Sequence, residues 1–431
     1  MAQSRIIRLV TSLSFRVLIA LVAGLAVGAA ARSWGLPGGA GTAELIAAIG
    51  QLWLNALKMT IIPLVFGLLV TGIASIADAA ATGRMALRAL MVFALILTGA
   101  MIYGIFASGG LHLLWPIDPE GGRALLAGAP PETAVRATAQ GGGLPAFLKS
   151  LAPPNPIKAA SEDAILGIVV FAIAFGFAAT RLPARLRLPL VTFFEGVSET
   201  MIVIVHWVLL AAPVGVFALA LGVGLSAGVG AAGTLGHYIA LVVLAQLGLI
   251  AILYAVAVIF GRIRLDRFAR GIIPAQVVAF STQSSLASLP AMVEQARTAL
   301  GVSSATAGLV LPLAVAVFRA TSPVANLAVC IYIAHLYGIA LSPTALIAGG
   351  LTALAVSVGS VGLPGQISFF VSIAPICLAM GLPIEVLPLL LAVEVIPDIF
   401  RTIGNVTADL AAARIVEGGD ATAEDEAAAG I

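Results

Sequence analysis

Five polar residues in the last quarter of the chain, Glu394, Asp398, Arg401, Asn405 and Asp409, recur at intervals of four, three, four and four. That spacing sets all five on one face of a helix whose other residues are mostly apolar. A guanidinium fork captures a planar carboxylate through two parallel hydrogen bonds. A carboxylate one helical turn away suits an ammonium group. Together they describe a site for a small anion, an acidic amino acid best of all. The plainer reading is a self-neutralised ladder in which Arg401 is shared by Glu394 and Asp398. Glu394 fits that role as well as a binding one.

A second charge stands in the apolar run Leu311 to Pro323. Pro323 has no N–H to give and its ring crowds the carbonyl of Arg319, so the helix is expected to loosen there. Arg319, Ser322 and Asn326 then share a face. An arginine at that depth needs an acceptor, and Asp409 or another carboxylate of the stripe is the candidate.

The elements that must hold these residues lie in lipid. Hydrophobic residues make up 61% of the 431 and charged residues 10%, with a mean hydropathy of +1.12, well outside the range of soluble domains. Apolar runs at roughly 11–31, 44–74, 85–115, 161–180, 190–222 and 234–260 are each long enough to cross a bilayer. The first is too long for a secretory signal, and Arg32, Ser33 and Trp34 after it read as an interface.

Beyond residue 270 the runs are interrupted. Phe280 to Pro290 sets five hydroxyl residues between two half-length apolar stretches, and Ser357 to Gly365 does the same between 344–356 and 367–380. Non-helical backbone at membrane depth must be satisfied by protein or by a wet cavity, so these segments are expected to line a site. Both close on Leu-Pro, and paired interruptions mark the binding site of inverted-repeat transporters. Kinks that merely aid helix packing are the plainer alternative.

A net charge of +2 says little, but its placement is informative. Arginines gather at Arg5, Arg8 and Arg16, at Arg84 and Arg88, at Arg181, Arg185 and Arg187, and at Arg262, Arg264, Arg267 and Arg270, in alternate connections. These are read as cytoplasmic. The Gly- and Pro-rich stretch 116–158, sparse in positive charge, is read as external. Cys330 and Cys377 have no metal or redox spacing and are expected to be small packed residues. His112, His206, His237 and His335 are widely separated and are expected to form no cluster. The acidic, Ala-rich tail after about 416 is expected to be disordered and cytoplasmic.

On these residues the chain resembles the dicarboxylate/amino acid:cation symporters, the family of glutamate transporter homologues. The resemblance spans nearly the whole chain. It rests on Leu57-Lys58-Met59-Thr60-Ile61-Ile62-Pro63-Leu64-Val65-Phe66, the serine-rich tip at 281–290, Gly359 to Gly365, and, most specifically, Asp398-Ile399-Phe400-Arg401-Thr402-Ile403-Gly404-Asn405-Val406-Thr407-Ala408-Asp409. It implies an all-α integral membrane protein of eight transmembrane helices and two re-entrant hairpins with inverted repeats. It implies a homotrimer in the bilayer and an elevator motion. Scaffold helices 1–2 would occupy 1–80, transport-domain helix 3 would occupy 81–120, scaffold helices 4–5 with the external loop 121–225, and the rest of the transport domain 226–415, before the tail 416–431. Position by position, Asp398 would hold the substrate amino group, Arg401 its side-chain carboxylate, and Asn405 with Ser285 its main-chain carboxylate. Thr402, Ser322 and Gly362 would complete the pocket.

One departure bears on energy coupling. Sodium-coupled members of that family read Asn-Met-Asp-Gly-Thr where this chain has Phe318-Arg319-Ala320-Thr321-Ser322. Two oxygen ligands are lost and a guanidinium is gained, so Arg319 with Asp409 is read as replacing a bound cation. Gln283 also stands where the family often has arginine. The expectation is a sodium-independent carrier of aspartate or glutamate in the inner (cytoplasmic) membrane, multi-pass with both termini cytoplasmic. No enzyme activity, metal, cofactor or nucleic-acid partner is expected. The alternative is a sodium- or proton-coupled symporter of C4-dicarboxylates or neutral amino acids. An intramembrane hydrolase built on Ser284 or Ser285 lacks a matching histidine constellation, and a channel would have no use for so detailed a pocket.

Overall fold

The computed structural model describes residues 13–33, 40–81, 83–126, 143–227, 230–359 and 365–428. Every element among them is helical: α1 (Leu13–Ser33), α2 (Ala40–Ala81), α3 (Arg84–Leu114), α4 (Pro119–Leu126), α5 (Gly143–Leu151), α6 (Pro156–Ser161), α7 (Ile165–Thr180), α8 (Ala184–Leu210), α9 (Ala212–Ala227), α10 (Gly230–Phe260), α11 (Leu265–Thr282), α12 (Ser285–Thr298), α13 (Ser304–Val317), α14 (Thr321–Leu336), α15 (Pro343–Gly359), α16 (Gly365–Ala379), α17 (Leu387–Val393) and α18 (Val395–Ala428). Among the described residues, five stretches are long and apolar enough to cross a bilayer: Ala48–Ala81, Arg84–Leu114, Ala184–Leu210, Ala232–Phe260 and Ser304–Leu336, the last taken through its central break. Lipid supplies no hydrogen-bond partner, so an all-helical chain that satisfies its own backbone is what this composition demands.

Two groups of helices pack closely, α1, α2, α7, α8 and α9 in one and α3, α10, α11, α12, α13, α14 and α18 in the other, and α15 and α16 touch both. Lipid tails are as apolar as the side chains they would replace, so helices associate here through close fit rather than through hydrophobic exclusion. The α1–α9 contact is the clearest case. A Cβ at Gly24 or Gly28 would run into the backbone of Phe217 and Leu221, and one at Gly224 into that of Leu25.

Helices flank both interruptions. α11 and α12 pack side by side, and the turn between them takes Gln283 into the left-handed region at φ 51° before Ser284 caps α12 by accepting from the N–H of Ala287. α15 and α16 likewise pack together, with residues 360–364 of the second tip, Gly362 included, outside the described residues.

Two stretches differ from expectation. The run at 190–222 is two helices, α8 and α9, meeting at Ala211. Pro213 cannot donate to Leu209, so the ladder stops and resumes with Val214 donating to Ala211. The acidic tail continues α18 as far as Ala428, in keeping with its alanines and glutamates, which are strong helix formers.

Candidate functional site

The site is assembled where the break between α13 and α14 meets α18. Phe318 closes α13 by donating to Ala314, and Ser322 donates to Arg319 in a tight three-residue turn. Pro323 removes the next donor, so the break falls at Arg319 as its position predicts. Thr321 then bonds across to α18. Its N–H and its hydroxyl both reach Oδ1 of Asn405, at 3.1 and 2.6 Å, and the hydroxyl also lies 2.8 Å from the carbonyl of Arg401. With Oδ1 occupied twice, the Nδ2 amino group is the donor Asn405 has left for a ligand.

The polar stripe exists but is not one unbroken helix. Glu394 sits at the turn between α17 and α18, and Asp398 donates its N–H back to the Glu394 carbonyl at 2.9 Å. Arg401 and Glu394 form an ion pair of 2.6 Å at 3% and 1% exposure, and the hydroxyl of Tyr238 on α10 lies 3.4 Å from the other carboxylate oxygen. This much of the self-neutralised ladder is present. Asp398, Thr402 and Asn405 are buried beside it, with Thr402 donating to the carbonyl of Asp398. Among the described residues Nε of Arg401 has no partner, so the guanidinium keeps an unused donor.

Ser322 is buried on α14, and Ser285 begins α12 half-buried; both helices pack against α18. The first N–H groups of a helix are short of intrahelical acceptors and carry partial positive charge. The expected substrate residues on α12 and α14 therefore lie on helices that each touch α18, the helix of Asp398, Arg401, Thr402 and Asn405.

Arg319 and Asp409 do not form an ion pair among the described residues. Arg319 lies within electrostatic reach of Asp398, Arg401 and Asp409, while both carboxylate oxygens of Asp409 are buried without a hydrogen-bond partner among the described residues. Phe318 stacks on Phe93 of α3, the ring centroids 4.5 Å apart and the planes 8° from parallel. Ala320 is fully buried. An aromatic pair and a methyl group thus occupy the two positions at which the resemblance implies oxygen ligands.

Three participants carried no sequence signal. Thr321 is an ordinary hydroxyl residue until the α13–α14 break aims it at Asn405. Tyr238 and Phe93 come from helices far off in the chain. The histidines also differ from expectation: His112, His237 and His335 converge around Tyr332 at the ends of α3, α10 and α14, because antiparallel helices bring sequence-distant ends together. Cys330 and Cys377 are buried side by side, sulfurs 3.4 Å apart, as small packed residues.

The sequence matches the profile of the sodium:dicarboxylate symporter family over residues 13–418. It is 30% identical over 419 residues to the proton/glutamate-aspartate symporter of Escherichia coli, covering 94% of this chain and 92% of that one. It is 32% identical to the neutral amino acid transporter B(0) of Oryctolagus cuniculus, covering 93% and 78%, and 28% identical to a proton/sodium-glutamate symport protein of Bacillus caldotenax, covering 94% and 93%. A match that takes in both helical hairpins, the α13–α14 break and the α18 stripe makes this chain a member of the sodium:dicarboxylate symporter family, a family of transporters rather than enzymes.

Proposed function

We propose that the protein carries an acidic amino acid, aspartate or glutamate, across the cytoplasmic membrane. The observation that supports this best is the buried arrangement on α18: the Arg401 guanidinium with a spare Nε, Asp398 one turn before it, and the free amino group of Asn405 one turn after it. Asp398 receives the ammonium, Arg401 the side-chain carboxylate, and Asn405 with Ser285 the main-chain carboxylate. Ser322, Thr402 and Gly362 complete the pocket. The arginine-rich connections lie on the cytoplasmic side, with both termini. α1, α2, α7, α8 and α9 act as a scaffold in a homotrimer of eight-helix protomers, and α3 with α10 to α18 moves against it as an elevator.

Sodium does not drive this movement. Arg319 supplies the positive charge near Asp398 and Asp409 that a bound cation would supply, and Phe318 and Ala320 remove the oxygens such a cation needs. Uptake of labelled L-aspartate into proteoliposomes, with and without a sodium gradient, tests this. Equal rates are expected, and strong dependence on sodium overturns the reading.

One observation favours a second substrate class. Arg401 is already neutralised by Glu394 at 2.6 Å, which leaves the pocket compatible with a neutral side chain, the cargo named for the B(0) relatives. Competition against labelled L-aspartate by glutamate, succinate, alanine and glutamine separates the two. Inhibition by glutamate but not alanine supports the acidic reading.

A further inference from the structure

Lys58 stands in the Leu57–Phe66 run near the start of the chain and has no part in the pocket. It lies on α2, inside the stretch Ala48–Ala81 that is long and apolar enough to cross a bilayer. A lone ammonium there is costly, so such a lysine either finds a partner or lifts its charge to water on its flexible stem. Here it has a partner. Nζ lies 2.9 Å from Oε1 of Glu385, the two side chains 30% and 8% exposed. The two residues are 327 positions apart, so the contact spans the fold. α2 belongs to the first group of helices, and Glu385 lies in the link between α16 and α17.

The link carries Glu385 as an extension of its helices. At its start Gly381 takes φ 72°, a conformation that favours glycine, and the N–H of Leu382 turns back to the carbonyl of Cys377 at 2.8 Å. At its end Leu387 donates to Ile384, so α17 begins directly behind Glu385. α17 is buried along its whole length and packs on α1 and α9. Beyond its other end stands Glu394, the partner of Arg401. One short helix thus joins the contact on α2 to the candidate pocket.

The contact between α2 and the α15–α16 hairpin is otherwise of another kind. Val65, Leu68 and Leu69 of α2 meet Val356 of α15 and Val371 of α16 around a small apolar cavity. Apolar contacts are non-directional, so one such face can slide along another and exchange one set of neighbours for the next. An ion pair is short and tied to two atoms. Lys58 can follow a small shift by changing rotamer, but a displacement of two helical turns, about 11 Å, exceeds what its stem can follow. We propose that the Lys58–Glu385 pair is a latch that holds the α16–α17 link on α2 and must open when the α15–α16 hairpin moves past α2. The latch rests on the reading of that hairpin as part of a moving body.

The test uses the full-length protein. In detergent without substrate, hydrogen exchange over the link and α17 is compared for wild type, Glu385→Gln, Lys58→Met and the double variant. Exchange is expected to be faster in each single variant and no faster in the double variant than in the faster of the two. Unchanged protection, or acceleration that adds in the double variant, overturns the proposal. In proteoliposomes Glu385→Gln, which leaves Lys58 free to turn to water, is expected to raise the maximal rate of L-aspartate uptake about two- to fivefold, the size expected of a partly exposed pair, with KM unchanged. A merely structural contact would lower the rate or leave it as it is, and either result overturns the latch. Lys58→Cys/Glu385→Cys, combined with Cys330→Ala and Cys377→Ala, is then bridged with a short bis-methanethiosulfonate. Binding of L-aspartate is expected to survive, and uptake to stop until the bridge is reduced. Uptake that continues through the bridge overturns the latch as well. Absence of uptake by wild type, with the exchange result intact, counts against the transport reading alone.

Discussion

Glu394 and Arg401 stand 2.6 Å apart, almost entirely out of contact with solvent, on either side of the α17–α18 junction. A buried pair of this kind adds little net stability, yet removing one partner leaves an uncompensated charge and costs roughly 3–5 kcal/mol. Glu394→Gln should therefore lower the Tm of the substrate-free protein. A substrate carboxylate can take the vacated place on the guanidinium, so saturating L-aspartate should restore more stability to Glu394→Gln than to wild type. Equal ligand-induced shifts in the two proteins would mean that substrate does not compete with Glu394 for Arg401.

Arg401→Lys addresses the same contact from the other side. Lysine keeps the charge but loses the fork and the spare Nε donor. Apparent affinity for aspartate should fall by at least about tenfold, roughly 1.4 kcal/mol, while inhibition by neutral amino acids changes little. Equal loss for both ligand classes would show that Arg401 is structural.

Gly404 faces the methyl of Thr321, and a Cβ there would collide with it. Thr321 cannot move aside, because its N–H donates to Asn405 and its hydroxyl proton is held between Asn405 Oδ1 and the Arg401 carbonyl. Gly404→Ala should cost about 1–3 kcal/mol by overpacking and should weaken aspartate binding through the displaced Asn405. Thr321→Val keeps the volume and removes the hydroxyl, leaving the Asn405 Oδ1 with one donor fewer, for about 1–3 kcal/mol. Binding isotherms together with Tm separate the two effects, and unchanged affinity in both variants would exclude Asn405 from the pocket.

Among the described residues Arg319 bears no ion-pair partner, yet Asp398 and Asp409 lie within its field. Arg319→Ala leaves two buried carboxylates without that positive charge. Uptake of L-aspartate should fall by about tenfold or more, and adding sodium should not rescue it, because Phe318 remains stacked on Phe93. Recovery in sodium would show that the cation site persists beneath the arginine.

These relationships differ in how far the sequence discloses them. The α18 stripe, the α13–α14 break and the Gln283 turn are local events, governed by helical periodicity, by a proline and by a cluster of hydroxyl residues, so spacing alone reveals them. The partners of the stripe are not local. Whether Arg401 pairs with Glu394 or Asp398 depends on the small bend at the α17–α18 junction, and periodicity had allowed both. The pairing expected between Arg319 and Asp409 needed a distance that no spacing supplies. Tyr238, Phe93 and the three converging histidines come from ends of helices that only packing brings together. Pro213 splits the 190–222 run because hydropathy registers apolarity and not a missing N–H.

Glu417, where α18 leaves the packed helices, gives a pH prediction outside the membrane-spanning segments. Its carboxylate accepts from the hydroxyl of Ser303, the residue that caps α13, at 3.0 Å. Partial burial pushes the carboxyl up, but hydrogen bonds from Thr306 and Ser303, with Arg414 nearby, outweigh it and hold the group below the usual glutamate range. A lowered value means that the ionised form is preferred by the folded state. The contact therefore contributes fully above the ordinary glutamate value and is lost as the pH falls through the lowered one. Its size is below about 1 kcal/mol, since the group is partly solvated and screened. Hydrogen exchange in the first turn of α13 and around residue 417 should be slow at about pH 7, and Glu417→Gln at that pH should reproduce the faster exchange that acidification below about pH 4 produces in the wild type. Equal protection in Glu417→Gln and wild type at about pH 7 would mean that the α13 cap, rather than the carboxylate, holds this junction.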